Sequence, residues 1–145
     1  YFAVVTLTTV GYGDLCPVGT DSKLLTCFFA LSAVGLFSSL LAGLASQVVA
    51  GHEDTIHDTS SRSLLPTIRR IALVLLGLIL LGAVPFAWLE GKTCAEAVYW
   101  ACISLTTVGY GDEVPKTTAG KAFTTVYLLV AAVIFVQELT HLVDL

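Results

Sequence analysis

The sequence predicts an all-α membrane protein made of two tandem copies of one helix–loop–helix unit, the first copy without its leading helix. Three observations lead there. The chain is 56% hydrophobic and only 12% charged over 145 residues, with a mean hydropathy of +0.87, far too apolar for an ordinary soluble domain. Three long segments carry no charge. A heptapeptide, TTVGYGD, occurs twice, at 8–14 and 106–112, and each copy is followed after two residues by a proline.

In chain order, the first apolar segment is 24–50, LLTCFFALSAVGLFSSLLAGLASQVVA. As a helix it would be about 40 Å long, enough to cross the hydrocarbon core with a tilt. Residues 51–66, GHEDTIHDTSSRSLLP, are polar and turn-rich, and Arg69 and Arg70 follow. All three arginines (Arg62, Arg69, Arg70) fall on this side, which the positive-inside rule assigns to the cytoplasm. The second apolar segment, 71–89, spans about 28 Å as a helix, with Pro85 placed to kink its last turn. The third, 122–136, runs into Gln137 and Glu138, so it spans only if its last turns lie in water or line an aqueous cavity. The predicted organisation is a first loop and inner helix over 1–50, a cytoplasmic linker over 51–70 and a second unit over 71–145. The start at Tyr1, inside the repeated pattern, predicts a fragment whose leading helix lies upstream.

The repeat extends beyond the heptapeptide. An offset of 98 aligns Tyr1 to Lys23 with Tyr99 to Lys121 and gives 13 identities in 23 positions. The chemistry of the shared core suits a desolvated cation. A pore can replace lost water with backbone carbonyls aimed at one axis, provided the backbone alternates between right- and left-handed conformations. Glycine reaches the left-handed region cheaply, and Gly11 and Gly13, with Gly109 and Gly111, stand where it is needed. Thr9 and Thr107 can add a ring of hydroxyls beneath the carbonyls.

TVGYG resembles the selectivity filter of potassium channels, and two such loops in one chain resemble the two-pore-domain potassium channels. GYGD in both loops is closer to the plant and algal members than to many animal ones. The resemblance implies passive, leak-type potassium conduction by a multi-pass protein of the plasma or vacuolar membrane. It implies an all-α architecture of tandem helix–pore loop–helix units. Each ring of ligands needs four filter strands, so two per chain imply a homodimer. The expected K+ ligands are Thr9, Val10, Gly11, Tyr12 and Gly13, with Thr107, Val108, Gly109, Tyr110 and Gly111. Asp14, Asp112 and Glu113 would flank the outer mouth, where negative charge concentrates cations. Tyr1 and Tyr99, eleven residues before the filter tyrosines, stand where such channels place an aromatic that hydrogen-bonds the aspartate after GYG, and Trp100 joins them as filter support.

Other features carry weaker readings. Gly35, Ser39 and Gly43 recur every fourth residue, a pattern that lets helices pack closely, and Gly35 and Gly43 are also candidate hinges. Glu138 and His141 form an interfacial polar turn, cap the cytoplasmic exit or modulate conductance with pH. His52 and His57 are five apart in a turn-rich loop, which suits solvent rather than zinc. Of the four cysteines only Cys16 and Cys94 could meet on one aqueous face. No catalytic set, arginine-rich voltage sensor or EF-hand pattern is present in the sequence, so neither enzyme chemistry nor a cofactor other than the permeant K+ is expected. A net charge of −4 without a basic cluster predicts lipid and K+ as partners, and no nucleic acid. Two rival readings are a non-conducting regulatory subunit and a potassium uptake protein of related design. The first has no need to keep four filter glycines, and the second typically has four units with a single filter glycine in each.

Overall fold

A computed structural model describes the backbone of residues 1–53 and 64–143, and side chains within 1–43 and 65–138. The described residues form five helices, α1 (Phe2–Leu7), α2 (Thr20–Glu53), α3 (Leu64–Glu90), α4 (Cys94–Leu105) and α5 (Thr118–Val143), and no strand. Three are long and apolar enough to cross a membrane, over Thr20–Gly43, Ile68–Glu90 and Thr118–Glu138. The protein is thus an all-α integral membrane protein with several spans.

The helices run further than the apolar segments alone suggest. α2 continues to Glu53 and α3 begins at Leu64, so helix enters both ends of the stretch read as a linker, and 54–63 lie outside the described residues. Pro66 is no obstacle, because the first turn of a helix has no amide partner to lose. α3 also continues through Pro85 to Glu90. α5 starts four residues before its apolar segment and reaches Val143. The Glu138 carboxylate is buried within the chain, 3.5 Å from the exposed Arg70 of α3. Burial of a carboxylate is tolerable there because a guanidinium partly offsets the lost hydration. The side chains of His52, His57 and His141 lie outside the described residues.

α3, α4 and α5 make the body of the fold. Phe86 of α3 stacks on Trp100 of α4, ring centroids 3.9 Å apart and planes within 4°. Tyr127 and Phe123 of α5 close around the indole. Phe86 and Trp100 are almost wholly inaccessible. Gly82 lets this cluster form, because a side chain there would strike the Tyr127 ring. α4 starts on a reciprocal cap in which the Thr93 hydroxyl accepts from the Glu96 amide and the Glu96 carboxylate accepts from the Thr93 amide. α2 is different. None of its described side chains is buried, and Leu24, Leu25, Phe28, Leu31, Leu36 and Leu40 are all exposed. Gly35 has open space around it, Ser39 donates to the Gly35 carbonyl, and the helix is unbroken past Gly43. The four cysteines are free.

Candidate functional site

The two heptapeptides follow one local path. α1 and α4 end on threonines of nearly identical geometry, Thr8 at φ −78°, ψ 3° and Thr106 at φ −79°, ψ 3°. Each hydroxyl donates to the carbonyl four residues back, Val4 or Cys102, at 2.8 Å. Beyond them the Thr9 and Thr107 amides bond Thr6 and Ser104 carbonyls at 3.1 Å, and the Gly11 and Gly109 amides reach Val5 and Ile103 at 3.1 and 3.2 Å. Positive φ then falls on alternate residues: Thr9 (60°), Gly11 (59°) and Gly13 (77°) in one copy, Thr107 (56°), Gly109 (53°) and Gly111 (78°) in the other. An alternating backbone of this kind turns successive carbonyls to a common side. Glycine explains two of the three left-handed positions. A β-branched threonine at the third is strained by about 1–3 kcal/mol.

The two strands lie against each other. A side chain at Gly109 would collide with the Val10 carbonyl, and one at Gly111 with the Tyr12 carbonyl. Around Gly11 and Gly13 there is open space. The tyrosines divide in the same way. Tyr12 is 5% exposed, and its hydroxyl hydrogen-bonds the Ser104 hydroxyl on α4. Tyr110, at the matching position, is 70% exposed. One strand is seated and the other presents its tyrosine outward.

The residues flanking the strands are held individually. The Tyr99 hydroxyl donates to Asp112 at 2.8 Å, and that bond holds the Asp112 carboxyl below the usual aspartate range. Tyr1, at the equivalent position, faces its own aspartate, and burial together with the adjacent Asp14 carboxylate pushes its pKa up. Asp14 also lies 3.9 Å from Lys121. Glu113 pairs with Lys92 at 2.6 Å, which raises the lysine pKa. Trp100 sits behind the strands, stacked on Phe86 as described above. Among the described residues no cluster of His, Cys, Asp and Glu could hold a metal.

A family model described as ion channel matches residues 1–50 and 73–145. Over 144 residues the chain is 35% identical to two pore potassium channel b of Oryza sativa subsp. japonica, covering 92% of this chain and 41% of that one. The chain belongs to the two-pore-domain potassium channels. As such it also matches two-pore potassium channel 1 of Arabidopsis thaliana, 30% identical over 100% of this chain and 44% of that one. Potassium channel subfamily K member 10 of Homo sapiens is 32% identical over 83% and 24% respectively. The chain therefore spans less than half the length of each of these relatives.

Sequence reasoning missed four residues that hold the two strands and the carboxylates beside them. Ser104 shares a hydrogen bond with the Tyr12 hydroxyl. Glu90 accepts from the Lys116 and Thr117 amides at 3.0 Å and from the Thr117 hydroxyl at 2.7 Å, joining the end of α3 to the start of α5. Lys92 pairs with Glu113 and Lys121 approaches Asp14. A usable signal was a glutamate ending a 19-residue uncharged run immediately before Gly91.

Proposed function

We propose that two copies of this chain form a pore that conducts K+ passively and selectively, through a filter of four strands: 9–13 and 107–111 from each copy. The observation that carries this reading is the one-sided packing of the strands. Within a chain, Gly109 and Gly111 back onto the Val10 and Tyr12 carbonyls, while Gly11 and Gly13 are open and Tyr110 is exposed. A second copy related by twofold symmetry supplies what each open edge needs. Its Gly11 and Gly13 would back onto Val108 and Tyr110, and Tyr110 would seat on its α1, where Thr6 stands at the position Ser104 holds in the repeat. Four strands of alternating handedness would then stack rings of carbonyls around one axis, replacing the hydration shell of K+. Asp14, Asp112 and Glu113 would give the outer mouth its negative potential, and the uncovered apolar surface of α2 would meet lipid and the second copy. Conduction of the leak type in a plasma or vacuolar membrane completes the reading.

Substituting Gly109 with alanine in the full-length channel tests it. The added methyl meets the Val10 carbonyl, and φ is 53° there. Selective current should be abolished although strand 9–13 is unchanged. A normal current would place the second heptapeptide outside the pore.

A further inference from the structure

Lys121 lies at the start of α5, in the second unit, yet its contacts are in the first. Its ammonium is 3.9 Å from the Asp14 carboxylate and 5.4 Å above the centroid of the Tyr1 ring. A cation over an aromatic face and beside a carboxylate is attracted by both. The contact therefore crosses the junction between units. The 98-residue offset sends each participant to an identical residue: Lys121 to Lys23, Asp14 to Asp112 and Tyr1 to Tyr99. Lys23 is exposed and forms no ion pair among the described residues.

We propose that Lys23 and Lys121 are positioning residues for the filter, forming a ring of four lysines that each hold the aspartate of the next unit. Lys121 holds Asp14 within the chain, and Lys23 holds the partner's Asp112 and lies over the partner's Tyr99. The direction is fixed by the glycine packing: the second unit reaches the first within a chain, so the first must reach the second across the dimer. The proposal rests on the dimeric reading. Its physical sense is electrostatic. Four aspartates drawn to one mouth repel each other, and a cation beside each offsets that repulsion while leaving the strand carbonyls free for K+. Held aspartates in turn fix the ends of strands 9–13 and 107–111.

The test uses the full-length channel in lipid vesicles, treated with a carbodiimide that condenses an amine and a carboxylate in contact into an amide. Mass spectrometry of the digest should find Lys121 joined to Asp14 within a chain and Lys23 joined to Asp112 between chains. In recordings, Lys23→Gln should speed the decline of current in low external K+ roughly two- to fivefold, the range expected of a solvent-accessible ion pair. Lys23→Arg should restore the wild-type rate, which a purely packing role would not require. A channel of dimeric native mass without the Lys23 to Asp112 link, and with unchanged decline in Lys23→Gln, overturns this inference alone. A monomeric native mass overturns the dimeric reading with it.

Discussion

Thr9 and Thr107 occupy backbone conformations that β-branched residues avoid, and the two aromatic residues that precede them by eight positions differ in how they are held. Tyr99 donates to an Asp112 that has no lysine among the described residues, whereas Tyr1 sits beside an Asp14 that Lys121 also approaches. Unequal effects follow from removing each hydroxyl. Asp14 keeps Lys121 when the Tyr1 hydroxyl is removed, so Tyr1→Phe should change the current little. Tyr99→Phe frees Asp112, and current should decline faster in low external K+ with assembly intact. Equal behaviour of the two variants would show that the Tyr99 bond does not support the filter. The same bond sets a pH dependence. A carboxyl whose pKa is lowered in the folded protein contributes its support above the ordinary aspartate range and loses it as pH falls through the lowered value. Current should therefore be steady from pH 7 down to about 5 on the outer side. In Tyr99→Phe, which lacks the bond at every pH, that acid-dependent part of the loss should be absent, as an external pH titration would reveal. The tyrosine spacing was legible in the sequence, since both lie eleven residues before a filter tyrosine. Their inequality was not, because it depends on which carboxylate takes a lysine.

At the scale of elements, the end of α3 acts as a bracket. Glu90 ties the Lys116 and Thr117 amides and the Thr117 hydroxyl, and Lys92 takes Glu113. Glu90→Gln keeps the shape and removes the charge, and should cost about 1 kcal/mol of stability, measured by denaturation in detergent. Gly120→Ala should reproduce that loss by another route. A methyl at 120 would occupy the place of a Glu90 carboxylate oxygen, and because that oxygen ends a flexible side chain it would swing away rather than break the helix. A Gly120→Ala variant as stable as the wild type would show that Glu90 is not held there. The helices themselves were readable from 24–50, 71–89 and 122–136, because a bilayer demands uninterrupted apolar runs. Their ends were not, because helix persists through polar residues once an apolar core anchors it. Thus α2 reaches Glu53 and α5 reaches Val143. Glu138 shows the same limit: the sequence placed it at the end of a span, and only the approach of α3 brings Arg70 over it.

For the whole molecule, the 98-residue repeat made the architecture legible before any coordinate, since two equivalent loops between membrane helices leave few arrangements. What the repeat could not give was its asymmetry. Tyr12 is buried and Tyr110 exposed, although the heptapeptides are identical, an asymmetry the proposed dimer accounts for by giving Tyr110 its neighbour from a second copy. The central claim is that two such chains complete one K+-selective filter. The measurement that tests it most directly is the reversal potential of the full-length channel as external K+ is exchanged for Na+. The account predicts a shift close to the Nernst slope, about 59 mV per tenfold change in external K+. A reversal potential that stays put while Na+ replaces K+ would contradict it.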